Sequence, residues 1–149
     1  MLTNKGKYGL KALVHLGNLA PGTTALAADI ASANRIPKKF LDAILLDLRN
    51  AGLLHARKGP GGGYTLAKAP AEIRIGDAIR VLDGPLAPIA CASRTAYRRC
   101  EDCTDVDTCP VRLSMIKVRD AMSEVLDNTT LADLLAEQAE LTKAFVYEI

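Results

Sequence analysis

Near the start of the chain, apolar residues recur at the three- and four-residue spacings of a helix. Leu10, Leu13, Val14 and Gly17 share one face, which predicts a helix over residues 8–20, stopped by Pro21-Gly22. Thr24 is placed as the N-cap of a second short helix, with Leu26 and Ile30 on its inner face and a turn at Ser32-Ala33-Asn34. Pro37 suits the first turn of a third helix, where its missing N–H costs nothing. Phe40, Leu41, Ile44, Leu45 and Leu48 form the buried face of that helix. Lys38, Lys39, Asp42, Ala43 and Arg49 fall elsewhere on it, and Gly52 takes the C′ position.

The period then changes. Residues 53–58 and 64–68 read as two short strands around Gly59-Pro60-Gly61-Gly62-Gly63, a turn built from residues that tolerate positive φ. Three helices followed by a hairpin is the order of a winged helix-turn-helix, whose third helix enters the major groove of DNA. A short fourth helix is expected over 75–82, and a loop-rich stretch over 83–109. A long helix runs from Pro110 to about Leu126. In it Val111, Met115, Val118, Met122 and Val125 are spaced four, three, four, three, a heptad seam for a partner helix. Asn128-Thr129-Thr130 breaks it, and Thr130 with Asp133 resembles a capping box for a last helix over 131–143. The expected fold is mainly α with a small β-hairpin wing: a winged helix-turn-helix plus a long dimerisation helix. The expected regions are 1–70 for DNA, 71–109 for a linker helix and cysteine-bearing sensor loop, and 110–149 for dimerisation.

Composition alters this picture only when divided. The net charge of the 149 residues is +2. Residues 1–70 carry ten Lys and Arg against three Asp, or +7; the remainder carries nine against fourteen acidic residues, or −5. A basic half that ends in a basic-edged hairpin points to a polyanion as its partner. No apolar run reaches the length of a membrane span, and the first residues lack the apolar core of a signal peptide, so a cytoplasmic protein without membrane contact is expected. No nucleophile–base pair, phosphate loop or catalytic zinc motif is present, so neither enzymatic activity nor a small-molecule substrate is expected.

All four cysteines, Cys91, Cys100, Cys103 and Cys109, fall in one loop with the pattern C-x8-C-x2-C-x5-C. Thiolates so gathered can hold an iron–sulfur cluster or a tetrahedral zinc, and Cys100-x-x-Cys103 could instead cycle between dithiol and disulfide. Arg94, Arg98 and Arg99 flank the loop as possible stabilisers of thiolate charge, whereas Glu101, Asp102, Asp105 and Asp107 work against it. His15 and His55 are read as structural, since four cysteines need no further ligand.

Three motifs carry a family resemblance. They are Leu2-Thr3-x-Lys5-Gly6-x-Tyr8; Ile36-x-x-x-Phe40-Leu41 leading to Leu48-Arg49-x-Ala51-Gly52-Leu53; and Gly59-Pro60-Gly61-Gly62-Gly63-Tyr64-x-Leu66. Together with Leu126-Asp127-x-Thr129-Thr130-Leu131-x-Asp133-Leu134 they resemble the Rrf-two (Rrf2) family of bacterial regulators, which includes IscR, NsrR and RirA. The resemblance implies a homodimeric, DNA-binding transcription factor, acting mostly as a repressor on a palindrome-like operator. It also implies a sensor of redox state, nitric oxide or iron, through a 2Fe–2S or 4Fe–4S cluster in the cysteine loop. Members typically have three cysteines there, and here Cys100 is additional. By position the resemblance offers Lys38, Lys39 and Asp42 for the major groove, with Ala43 limited to apolar contact. It offers Arg57 and Lys58 for the minor groove, and Lys5, Lys7 and Tyr8 for phosphates. Two alternatives stay open: a zinc-stabilised or thiol-switched regulator without a cluster, and an iron–sulfur protein with no DNA role.

Overall fold

A computed structural model describes residues 2–147; residue 1 and residues 148–149, the outer ends of two of the expected regions, lie outside it. Six α-helices and one hairpin follow in chain order. They are α1 Asn4–Gly17, α2 Ala27–Asn34, α3 Lys38–Asn50, β1 Leu54–Arg57, β2 Gly63–Leu66, α4 Ile75–Asp83, α5 Pro110–Asp127 and α6 Leu131–Tyr147. Single 3₁₀ turns lie at Pro70–Glu72 and Ala90–Ala92. The hairpin is antiparallel, with Leu54 opposite Leu66 and Arg57 opposite Gly63.

The core lies between α1, α2, α3, α4 and the hairpin, and α6 closes it with Leu131. Leu13, Ile30, Leu41, Ile44, Leu45, Leu48, Leu54, Ile73 and Leu131 are its largest fully buried side chains. Each contributes about 1.5–3 kcal/mol by leaving water. Helix α1 lies close against α4 because two of its residues lack a Cβ: one on Gly9 would strike the Leu82 side chain, and one on Gly6 the Asp83 carboxylate. Thr3 caps α1, accepting the Gly6 N–H at 3.2 Å, and Asp83 in turn accepts the Thr3 N–H at 3.0 Å. This cap starts the helix at Asn4 rather than at residue 8.

Several sequence expectations are corrected around the helix-turn-helix. Thr24 is not the N-cap of α2; Leu26 occupies that position and is exposed. The Thr24 hydroxyl instead donates to the carbonyls of Gly61 and Gly62, at 2.9 and 3.1 Å, and fastens the wing to the chain entering α2. Ala25 and Tyr64 add two backbone hydrogen bonds, of 2.9 and 2.7 Å, to the same junction. Ser32-Ala33-Asn34 is the last turn of α2 and not a loop. The helix stops at Arg35, whose φ of 54° lets Ile36 N–H reach the Ala31 carbonyl at 2.9 Å. That is a Schellman ending built without glycine, at a cost of roughly 1 kcal/mol, and so the usual glycine stop signal is missing there. Pro37 stands just before the first turn of α3, as its N-cap. Phe40, assigned to the buried face, is 43% exposed and meets the Tyr8 ring edge-on with centroids 5.8 Å apart.

The end of α3 matches its sequence signal. Gly52, at φ +81°, donates to the Arg49 carbonyl and Leu53 to the Leu48 carbonyl, both at 3.0 Å. Leu53 therefore closes a helix and does not open the strand. Lys58 and residues 67–68 likewise lie outside the strands.

Two contacts fix α5 and α6 to α4. Ile75 N–H donates to Thr129 O and Leu131 N–H to Ile73 O, both at 2.8 Å. Arg80 grips Asp127 with two hydrogen bonds, of 2.7 and 2.8 Å. The reciprocal Thr130–Asp133 cap is present, at 2.9 and 3.2 Å, and α6 continues beyond the expected end at 143. No residue of α5 is buried. Val111, Val118 and Val125 are exposed, while Met115 and Met122 are half-buried, so the heptad stripe is not part of this chain's core.

Candidate functional site

The four cysteines open on one cavity of about 480 Å³, together with Ile89, Val106, Val111 and Arg112. Cys91 is placed by the 3₁₀ turn Ala90–Ala92 and is buried. Cys109 precedes Pro110, the first residue of α5. Cys103 and Cys109 are half-buried and Cys100 is exposed. The Cys91 and Cys100 sulfurs lie 3.9 Å apart. Hydrogen bonding to Cys91, and then the Cys91 charge, push the Cys100 thiol above its ordinary value. The Asp105 carboxyl is held below its ordinary value, first by the Thr108 hydroxyl and then by the Asp107 N–H, in a tight turn of the loop.

Two arginines that sequence reasoning missed fix the loop to α5. Arg112 donates through Nε to the Cys91 carbonyl at 2.9 Å and through Nη1 to the Val106 carbonyl at 3.4 Å. Arg119 donates to the Ala92 carbonyl at 2.7 Å. A charge-assisted bond of this kind is worth about 1.5–3 kcal/mol when partly buried. On an isolated helix both would read as solvated cations, because the carbonyls they meet are distant in sequence. The arginines expected to flank the thiols are engaged differently. Arg94 pairs with Asp120 at 2.7 Å, and Arg99 donates to the Cys103 carbonyl at 3.1 Å. Arg98 donates its backbone N–H to the Ala90 carbonyl at 3.2 Å, which brings residues 98–100 beside Cys91.

The donor set suits a soft metal centre: four sulfurs and no imidazole on one cavity. Two thiolates on one tetrahedral ion, with bonds of about 2.3 Å, stand roughly 3.8 Å apart, close to the Cys91–Cys100 separation. Among the described residues, no group of three or more His, Cys, Asp or Glu is gathered tightly enough to hold an ion with the loop as it stands. His15 faces Asn34 at 3.2 Å and His55 is exposed on β1; neither lines the cavity.

The basic candidates lie on the opposite half of the chain. Lys39, on the outer side of α3, and Arg57 and Lys58, at the wing base, are exposed. Lys7 is exposed beside Tyr8, its ammonium 5.2 Å from the ring centre, and Tyr8 links α1 to α3 through Phe40. Two candidates are already paired: Lys5 with Asp47 at 2.7 Å, and Lys38 with Asp42 at 3.0 Å. Gly59, Gly61 and Gly63 all have positive φ, so the wing backbone turns where side chains would be strained.

The family model described as an iron-dependent transcriptional regulator, Rrf2, matches residues 2–137. The chain belongs to the Rrf2 family. An rrf2-like HTH-type transcriptional regulator of Rhodobacter capsulatus is 42% identical over 91% of this chain and 93% of its own length. The solved structure of CymR, the global cysteine regulator of B. subtilis, is 35% identical, with a TM-score of 0.74 over 92% of this chain and 97% of that one. IscR of T. potens is 30% identical, with a TM-score of 0.76 over 95% and 90%. This Rrf2 protein is thus a winged-helix, DNA-binding transcriptional regulator and not an enzyme. Among its described residues no helix is long and apolar enough to cross a membrane.

Proposed function

We propose that this Rrf2 regulator is a homodimer that represses transcription from a palindrome-like operator and senses redox state, nitric oxide or iron through an iron–sulfur cluster. The observation that carries the reading is the opening of all four thiols on one cavity at the N-terminus of α5. Cys91, Cys100, Cys103 and Cys109 would hold the cluster, whose iron supplies redox chemistry and a reactive target for small oxidants. Arg112 and Arg119 hold the backbone of residues 91 and 92 to α5, so any movement of Cys91 is felt by that helix. The stripe of exposed Val111, Val118 and Val125 with half-buried Met115 and Met122 is the surface for the partner's helix. Each protomer offers Lys39 and Ala43 to the major groove, Arg57 and Lys58 to the minor groove or phosphates, and Lys7 and Tyr8 to phosphates. Lys5, Lys38 and Asp42 join them only after exchanging their present ion pairs. The proposed division is residues 1–70 for DNA, 71–109 for the sensor and 110–149 for the dimer. Family membership sets aside the reading as an iron–sulfur protein without a DNA role.

The 3.9 Å sulfur pair also suits a structural zinc, which gives a second reading as a zinc-stabilised or thiol-switched regulator. Anaerobic purification with a visible spectrum and iron, sulfide and zinc analysis separates the two. The cluster reading expects a coloured protein that Cys103→Ala bleaches, and a DNA shift that depends on the cluster. A colourless protein with stoichiometric zinc overturns it.

A further inference from the structure

The structure pairs two of the four cysteines more closely than their sequence spacing suggests, and the pair is not Cys100-x-x-Cys103. Cys91 and Cys100 have their sulfurs 3.9 Å apart. Cys91 is the fixed member: it is buried, and its carbonyl is held by Arg112 while the next carbonyl is held by Arg119. Cys100 is the free member: it is exposed, on a loop held beside Cys91 by the bond from Arg98 N–H to the Ala90 carbonyl. Closing the pair to a covalent S–S length asks for about 1.9 Å of approach between the two sulfurs. Cys103 and Cys109 line the same cavity but have no such thiol partner among the described contacts.

We propose that, in the metal-free chain, Cys91 and Cys100 are a peroxide-oxidised disulfide pair, with Cys100 the residue that meets the oxidant and Cys91 the residue that resolves it. The exposed Cys100 sulfur attacks a hydroperoxide; its S–H proton is lost to solvent, an S–O bond forms, the O–O bond breaks, and the alkoxide or hydroxide leaving group takes a proton to depart as alcohol or water. The Cys91 thiolate then attacks the sulfenic sulfur; the S–S bond forms, the S–O bond breaks, and the oxygen leaves as water. In sum, two thiols and one hydroperoxide give one disulfide, one water and one alcohol or second water. The disulfide ties up two of the four thiols, so this chemistry competes with metal loading. It concerns the same cavity as the proposed cluster but needs no cluster to occur.

The test uses the full chain, reduced, stripped of metal by a chelator and treated anaerobically with one equivalent of hydrogen peroxide. Remaining thiols are then alkylated and the protein mapped by mass spectrometry without reduction. Cleavage after Arg99 and before Asp102, Asp105 and Asp107 places the four cysteines on separate peptides. The expected result is a Cys91–Cys100 cross-link within one chain, with Cys103 and Cys109 alkylated. Cys91→Ser should leave a dimedone-reactive sulfenic acid on Cys100, and Cys100→Ser should lose at least tenfold in the rate of thiol loss. A dominant cross-link through Cys103 or Cys109, a cross-link between chains, or no cross-link at all overturns the proposal. Because the protein is metal-free throughout, a failed cluster reading leaves this result intact, and the reverse also holds.

Discussion

The winged-helix half and the proposed sensor half of this chain are held together by different forces. In the first, leucines and isoleucines of α1, α2, α3, α4 and the hairpin meet in one apolar cluster, and α3 alone buries Leu41, Ile44, Leu45 and Leu48. In the second, α5 buries none of its residues, and the segment before it buries only Cys91, Ala92 and Ser93. Most ties there are polar, Arg112 and Arg119 to carbonyls, Arg94 to Asp120, and Arg80 to Asp127, while Leu86 and Leu126 reach the core only as partly buried side chains. Burial of apolar surface makes a rigid platform, whereas a few ion pairs and hydrogen bonds leave a segment that a ligand or a partner can reposition. A DNA-binding platform gains from the first and a sensor from the second.

Substitutions on the two sides should therefore differ sharply. Leu45→Ala, at a fully buried position, is expected to cost about 2–5 kcal/mol in urea unfolding. Val118→Ala, on the exposed stripe, should cost less than about 0.5 kcal/mol in protein dilute enough to be monomeric. Equal losses would erase the contrast. Introducing charge on the same stripe, with Val118→Glu and Val125→Glu together, should dissociate the proposed dimer in sedimentation while preserving the winged-helix circular dichroism.

The Arg80–Asp127 clamp joins the two regions, and it titrates. The Arg80 hydrogen bond holds the Asp127 carboxyl below its ordinary value. A carboxyl depressed in the folded state stabilises it above the unfolded value near pH 4, and that stabilisation is lost as pH falls through the lower folded value. Asp127→Asn should thus reduce stability at neutral pH by about 1 kcal/mol, modest because both partners are a third exposed. It should also flatten the acid limb of a stability-against-pH curve below about pH 4. A gain in stability is expected instead at the turn of the helix-turn-helix. Arg35→Gly relieves the positive φ and should raise stability by about 0.5–1 kcal/mol, read as a small increase in urea midpoint.

The signals that were legible were local ones. Gly52 after α3, the glycine turn of the wing and the Thr130–Asp133 cap each act within a few residues, and each appears where the pattern placed it. Where a local signal was missing or ambiguous, reading failed. Arg35 ends α2 without a glycine, and Thr24 resembles a cap while its hydroxyl serves the wing. Phe40 has the period of the α3 core yet lies at its edge, because Tyr8 of α1 stops short of covering it.

By itself, the sequence determined the order of elements, the charge asymmetry and the gathering of every cysteine into one loop, since composition and period are properties of neighbouring residues. Only the tertiary structure decided that the cysteines share a cavity, that Cys91 faces Cys100, and that Arg112 and Arg119 hold the loop to α5. Those contacts join residues 9 to 27 positions apart, through side chains whose partners are set by helix packing and not by spacing along the chain.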